Sequence, residues 1–506
     1  MGNKRVLAMY DVRGKQEYIY RSKHIQEIVG ASAIIRDVFK DWLYPAARKV
    51  RNRENALGRQ EAIRQYGDGE PFVLKDFESR MEGKQYIGEV VYSGGGNFLV
   101  LYRDRETCIR VNRIFTAELM KHVGTLKVLC TILDNPDFAR YREDNARLYE
   151  KHRKNEAMES VIYPVNSLPV SQVDPLTSSP LTTKRRTGHT VSVGGSEGER
   201  MSVERAAKYD KYRGERGGED GERNLNNIIE DGESLLAVIY IDGNGMGAKV
   251  QSCLEGKISY EECVTELRRF SARIQKDYVD DRLRAVNSML DQKYQGIKRR
   301  RTIVSAGDEM AIICKAGDVL QVLRTYFEGL PEEGSSCAGV AVFKRRTPYA
   351  DAYRLAEECC ESGKEFMKAK KLENACLMDF HYCQGGIESS LEKIREKELR
   401  GETSSRPWVL DAFSKDRPNA FYFSLELAEE MARILRKLSR TNVKSLMNVA
   451  LNSPSGLELE LERINAHREV PEDFTLGGKL DSEQKRKLLY DMVLVHGLWF
   501  EGEEGM

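Results

Sequence analysis

The feature that most limits what this chain can fold into is a repeat on the scale of a domain: two stretches of its 506 residues pass through the same order of elements. In the first, RVLAMY (5–10) is a short apolar run ending at Asp11, and an amphipathic stretch with Ile25, Ile28, Val29, Ile34, Ile35, Val38 and Phe39 at helical spacing follows. YIGEVVYSGGGNFLVLYRD (86–104) reads as two strands about a glycine turn, ETCIRVNRIFTAELMKHV (106–123) as helix and LKVLCTIL (126–133) as strand. In the second, LLAVIYI (235–241) ends at Asp242 and a helical region runs to about Tyr294. RTIVSAGDEMAIICKAG (301–317) is again strand, small-residue turn and strand, followed by helix 319–330 and strand 336–343. A unit that recurs whole says more about a fold than any single motif.

The pattern predicts an α+β chain with two ferredoxin-like βαββαβ domains, at 1–134 and 232–385, the second extended by helix 348–370 and strand 375–380. Laid over one another, Ser93-Gly94-Gly95-Gly96-Asn97 falls on Ser305-Ala306-Gly307-Asp308-Glu309, and Asp11 falls on Asp242. The first hairpin therefore has no acids. The stretch 135–231 is polar and rich in Pro, Ser and Gly, and reads as a linker or insertion, flexible over about 195–225. Residues 386–506 carry apolar side chains at helical spacing and are expected to form a small helical domain.

Lys plus Arg (80) balances Asp plus Glu (79), so no global field draws the chain to nucleic acid or to a membrane surface. Ten cysteines without a C-x-x-C pair suggest reduced packing thiols rather than a zinc ribbon or disulfide frame. No apolar run of membrane-spanning length and no leader-like h-region occur, and the expected compartment is the cytoplasm. The basic runs Lys298–Arg301 and Lys344–Arg346 lie near the second hairpin and its following strand, where contact with nucleotide or an acidic partner is plausible; Lys184–Arg186 reads as a solvated loop tip. His381, on an apolar strand, reads as a core histidine, and Trp42, Trp408 and Trp499 as core or interface anchors.

Carboxylates clustered at a strand end suit hard divalent cations, which bridge phosphate oxygens and neutralise charge in phosphoryl transfer. If the strands of the second unit pair, Asp242, Asp308 and Glu309 converge on one sheet edge and are the candidate catalytic and metal-binding acids, for Mg2+ or Mn2+. Gly243, Asn244 and Gly245 in DGNGMG, and Ser305, Ala306 and Gly307 before the acids, offer small loops where backbone can approach a triphosphate.

IYIDGNGMG paired with SAGDEM, followed by CAGVAVFKRRTPYADAYRLAEECCESGK, resembles the second palm domain of the large polymerase-like subunit of type III CRISPR effectors, and more distantly GGDEF diguanylate cyclases. DVRGKQEYIYRSKHIQEIVGASAIIRDVF and SGGGNF resemble that subunit's first palm, so that the likeness covers roughly 1–135 and 232–385. The resemblance implies two palms forming a pseudo-dimer, conversion of NTP, chiefly ATP, into cyclic oligoadenylates, and a place in prokaryotic antiviral signalling. It implies that Lys364 contacts the triphosphate and that Ser32, Gly94, Gly95 and Gly96 line the acceptor-nucleotide side.

The chain departs from the family pattern at Ala306, Glu309 and Gly363, where the family has glycine, aspartate and alanine. It also lacks the HD nuclease signature and the four-cysteine zinc element between the palms. Two other readings stay open: a nucleotide or cyclic-nucleotide sensor without turnover, and a scaffold subunit of a guide-RNA complex. An effector protein or RNA is a possible partner, and the oligomeric state is left open.

Overall fold

The computed structural model describes residues 5–22, 24–54, 61–83, 86–94, 97–158, 171–187, 190–193, 198–215, 228–230, 232–383, 390–399, 404–466, 474 and 476–500. The chain divides into two compact units, one of residues 1–223 and 246–276, the other of 224–245 and 277–506.

The first unit begins with β1 (Val6–Arg13), α1 (Lys15–Tyr20), α2 (Ile25–Val38), α3 (Tyr44–Glu54), β2 (Ile63–Arg64) and α4 (Leu74–Glu82). It continues through β3 (Gly88–Gly94), β4 (Asn97–Tyr102), α5 (Arg105–Val123), β5 (Lys127–Asp134) and α6 (Tyr141–Ala157). The sheet order is β2-β3-β4-β1-β5, with β1 antiparallel to both neighbours. Alternation along β1 sends Val6, Ala8, Tyr10 and Val12 to one core with α2, α3 and α5, and Leu7 and Met9 to another on the opposite face.

What fills that second face corrects the expected domain boundary. Helices α8 (Met246–Cys253) and α9 (Tyr260–Ile274), which follow Asp242 in sequence, belong to the first unit. Tyr260, Cys263, Val264 and Leu267 of α9 pack with Leu7, Met9, Val91, Leu99 and Leu101. A Ser259–Glu262 capping box starts α9, and its buried Arg268 donates to the carbonyls of Val90 and Val91.

The stretch expected to be a linker is also built where it is described; of the part expected to be flexible, 195–197 and 216–225 lie outside the described residues. It holds α6, a small sheet of order β7-β6-β8, from β6 (Leu181–Thr187), β7 (Thr190–Val193) and β8 (Glu199–Ser202), and α7 (Val203–Glu215). On α7, the fully buried Arg205 bonds Glu27 and Asp174, and Lys208 bonds Glu204 and the Tyr18 carbonyl. Charges buried in mutual pairs satisfy a core that composition reads as polar loop.

The second unit contains β9 (Leu235–Gly243), α10 (Asp281–Lys293), β10 (Arg300–Ala306), β11 (Glu309–Lys315), α11 (Val319–Glu328), β12 (Ser336–Lys344), α12 (Tyr349–Lys370) and β13 (Leu377–Tyr382). After these come α13 (Leu391–Leu399), β14 (Trp408–Val409), α14 (Leu425–Leu435), α15 (Arg440–Asn452), α16 (Pro454–Ala466) and α17 (Ser482–Trp499). The sheet order is β10-β11-β9-β12-β13-β14. Its first four strands repeat the arrangement of β3-β4-β1-β5: the hairpin lies on one side of the opening strand and the last strand of the βαββαβ unit on the other.

The correspondence reaches single residues. Each hairpin carries a register irregularity at the same place, between Val90 and Tyr92 in one and between Thr302 and Val304 in the other. Ser93↔Phe98 and Gly94↔Asn97 match Ser305↔Met310 and Ala306↔Glu309.

The C-terminal region is not a separate domain. Ile239, Ile241, Met310, Ile312 and Val340 of the sheet share one core with Met431, Leu435, Leu446, Leu489, Val493 and Trp499 of the late helices, and β14 joins the sheet edge. Trp408 and Trp499 are buried in that core against Phe380. The ten cysteines are unpaired and eight of them are buried.

His381 is 3% exposed, and its pKa falls to about 3 through burial and then the charges of Arg406 and Arg395, against a smaller opposing pull from Asp379. The folded unit thus holds the imidazole neutral while the unfolded chain protonates it near its ordinary value, about 6.5. The associated stability is present above that pH and is lost as pH falls toward about 3. Urea unfolding should lose about 1 kcal/mol per pH unit below pH ~6.5 through this group. His381→Asn should lose less over the same range; parallel slopes would rule the account out. Glu398, whose pKa is raised by burial, works in the opposite direction in both proteins, so the difference between them isolates the imidazole.

Candidate active site at the end of the second sheet

Strand β9 carries Ala237, Ile239 and Ile241 into the helical core and Tyr240 and Asp242 to the face covered by α12. Ile241 pairs with Met310, so Asp242 and Glu309 occupy the next cross-strand position on the same face. Between β10 and β11 the chain turns in two residues, Gly307 and Asp308. Gly307 sits at φ +67° with nothing within 4 Å of where a Cβ would be, so backbone conformation and not space requires glycine there. The turn brings Asp308 against Asp242, with which it shares a hydrogen bond.

Burial, then the charge of Asp242 and this hydrogen bond, then Glu309, push Asp308 up to about 7. Two carboxyls in contact can share one proton or hold one cation; they do not stay together as bare anions. Lys364, on α12, reaches the Asp242 carboxylate. Burial pulls its pKa down, but Asp242 outweighs this and holds it at about 12.

Glu357 was not singled out from the sequence. Burial, then Glu309 and Asp242, push it up to about 7, and it stands two helical turns before Lys364, on the same side of α12. The seven-residue spacing of the two, on a helix following the strand that pairs with β9, was the available signal. Tyr240, raised by burial and then by Glu309 and Asp242, stays a neutral phenol in this setting.

Of the three acids expected to converge, two meet. Asp242 and Asp308 touch, whereas Glu309 opens β11 with its side chain exposed, and no group of three or more His, Cys, Asp or Glu among the described residues is arranged to hold a metal ion. A hard cation still suits the oxygens of the two touching carboxylates, and the Lys364 ammonium already stands in for one on Asp242.

The small-residue loops differ in what they leave open. Gly245, at φ +65°, has nothing within 4 Å of its Cβ position. Asn244 is turned inward: its amide nitrogen donates to the Ala375 carbonyl at 3.0 Å and its backbone N–H to Ser335 at 2.9 Å, so it pins the loop after Asp242. Ser305 pairs with Met310 and lies on the core face, opposite Asp242; Ala306 pairs with Glu309.

Ser32 and Gly94 lie in the first unit, on α2 and at the end of β3, while Gly95 and Gly96 lie outside the described residues. Ser271 of α9 donates to the Ser93 carbonyl at 3.0 Å and holds the first hairpin near its tip. Asp11, the counterpart of Asp242, is bonded to Arg13 at 2.9 Å and to His152 at 3.3 Å, and the His152 ring meets Thr131 at 3.0 Å.

The basic runs are not at this site. Arg300 pairs with Asp291 and Arg299 with Glu230, and Arg301 is buried. Lys344–Arg346 are exposed, but Ser336 opposes Gly243 at the site end of β12 and Lys344 opposes Leu235 at the other, roughly 25 Å away at strand rise. No helix among the described residues is long and apolar enough to cross a membrane.

No protein-family model matches the chain, and no curated protein is found similar to it. Its structural neighbours are chains of Csm1-Csm4 assemblies. In the apo Csm1-Csm4 cassette the matching chain is 11% identical with a TM-score of 0.50, over 98% of this chain and 70% of that one. A cassette in complex with cA4 gives 13% and 0.47, and the Csm1-Csm4 subcomplex of the type III-A CRISPR-Csm interference complex 12% and 0.46, each covering 98% of this chain and 70% of the other. At such identity the likeness is one of fold.

Proposed function

We propose, from a fold shared with Csm1-Csm4 cassettes, that this chain is a metal-dependent nucleotidyltransferase that cyclises ATP into an oligonucleotide second messenger. It would act in the cytoplasm in CRISPR-type antiviral signalling, with two palms in one chain and the chemistry in the second. The observation that carries the reading is the contact of Asp242 with Asp308 at the end of the sheet, with Lys364 on the same carboxylate.

Asp242 and Asp308 would hold Mg2+ or Mn2+, with Glu309 beside them. The bound ion supplies charge neutralisation to phosphate oxygens. The open backbone at Gly245 and Gly307 gives a triphosphate room to approach, while Gly243 is buried at the end of β9, paired with Ser336, and Asn244 fixes the loop that sets this opening. In the reaction a ribose hydroxyl attacks the α-phosphorus of a second nucleotide and gives up its proton to water, the new P–O bond of the phosphodiester forms, and the bond to pyrophosphate breaks as it leaves. A protein partner of the Csm4 kind, or RNA, belongs to the same reading.

The exposed Glu309 side chain and the two-carboxylate centre favour a second reading, in which the chain binds nucleotide without turnover and reports it to a partner. Incubation of the purified chain with each labelled NTP and Mg2+ or Mn2+ separates the two. A cyclic oligoadenylate, identified by mass, is the expected product. Tight ATP binding by calorimetry with no product at any metal concentration selects the sensor, and neither binding nor product defeats both.

A further inference from the structure

Both units place an aspartate near the end of their opening strand, and both give it a cation from the protein, but the two cations are held differently. In the first unit Arg13 sits two residues from Asp11 on the same strand and also pairs with Glu156, while His152 closes the other side. Asp11 is 9% exposed, and its partners are fixed by the strand and by a ring bonded to Thr131. This counter-charge cannot leave without breaking several other contacts.

In the second unit the cation comes from a separate element. Lys364 projects from α12 to Asp242, both side chains are partly open to solvent (27% and 20% exposed), and Asp242 is the one ion-pair partner recorded for Lys364 among the described residues. A lysine ammonium is a compact charge on a four-carbon stem with freely turning bonds, able to trade one anion for another without disturbing the helix that carries it. The same carboxylate also touches Asp308, so the ammonium sits where a second positive charge would otherwise bind.

We propose that Lys364 is a displaceable counter-ion that competes with a divalent cation for Asp242, so that the carboxylate pair accepts the metal well only when a nucleotide polyphosphate draws the ammonium away. The inference rests on the nucleotidyltransferase reading and adds an order of dependence to it. Metal and nucleotide bind cooperatively, and by linkage each strengthens the other by the same factor. An empty site is kept charge-compensated, and metal is taken up with substrate.

Mn2+ binding followed by electron paramagnetic resonance, with and without an ATP analogue bridged by a methylene between its α and β phosphorus atoms, tests this apart from turnover. Wild-type protein is expected to bind Mn2+ weakly alone and about tenfold more tightly with the analogue. Lys364→Met should bind Mn2+ alone at least about fivefold more tightly than wild type, with the coupling to the analogue reduced by about the same factor, the remainder being the direct attraction of metal and phosphate. Lys364→Arg, which keeps a cation on Asp242, should preserve weak metal-only binding, and its melting curve controls for folding.

Unchanged or weaker metal-only binding in Lys364→Met, with Mn2+ still bound in the presence of the analogue, overturns the inference and leaves the nucleotidyltransferase reading standing. No Mn2+ binding by wild type under either condition overturns both.

Discussion

Asp308→Asn is expected to cut nucleotide turnover by about a hundredfold or more while leaving the protein as stable as wild type or slightly more so. The two halves of this result have one cause. Asp308 is held against Asp242 by a tight turn at the edge of a buried sheet, and burial and the neighbouring carboxylate make its charged form costly, so its pKa rises to about 7. Asparagine has the same shape, keeps a hydrogen-bond donor toward Asp242, and removes the repulsion. It also removes half of the oxygen pair that a cation would use. Groups strained for function are a common place for stability and activity to diverge. Product formation and thermal melting, measured on the same preparation, check both halves. Turnover undiminished in Asp308→Asn would remove Asp308 from the chemistry; turnover lost together with several degrees of melting temperature would assign it to the fold.

Gly339→Ala should be the most damaging single-methyl change in the second unit. Gly339 lies in mid-β12, opposite Tyr240 on one side and Asp379 on the other, and a Cβ built there overlaps the backbone carbonyl of Ala356 and the amide nitrogen of Cys360 on α12. Backbone cannot swing aside as a side chain can, so the helix must move off the strand. Overpacking of this kind costs typically about 1–3 kcal/mol and sometimes more. At the upper end, melting should fall by roughly 6–10 °C for a unit of this size. Lys364 lies one turn beyond Cys360, so the shift also draws the ammonium from Asp242, and turnover should fall with stability.

The control is Gly363→Ala, one residue before that lysine. A Cβ there comes no closer than 3.4 Å, to Cys337 Sγ, an ordinary contact. The change should be neutral or stabilising, by about the 1 kcal/mol that separates alanine from glycine in a helix. If Gly339→Ala and Gly363→Ala melt alike, the close approach of α12 to β12 is not the constraint it is taken for.

How far the sequence could be read depended on whether the signal was local. The two hairpins could be aligned residue for residue because strand alternation and turn chemistry lie within a few neighbouring residues, and the pairing of Ser93, Gly94 and Asn97 repeats that of Ser305, Ala306 and Glu309. The nearness of Asp242 to Asp308 needed one further step, that β9 pairs with β11, which follows once a βαββαβ unit is accepted.

The misreadings came where partners are distant. The stretch holding Asp174 and α7 looks polar because its buried side chains include Arg205, paired with Glu27 and Asp174, and Lys208, paired with Glu204, and no hydrophobic period announces a charge buried in a pair. The helix at 260–274 has a clear apolar face, but amphipathicity does not say which sheet will cover it. That face packs on the first unit although the helix follows the second unit's opening strand.

The sequence by itself determined the repeat, the strand ends, the glycine required at the second turn and the places where acids occur, since each depends on backbone preferences and spacing over a few residues. Only the tertiary structure decided which acids meet, that Lys364 rests on Asp242 while Arg13 rests on Asp11, that Glu357 faces the same carboxylates, and that the late helices complete the core of the second sheet. The physical reason is range. Propensity and periodicity act along the chain, whereas burial and charge pairing act through space between residues far apart in sequence, 122 positions for Lys364 and Asp242, and the site is made of the second kind of contact.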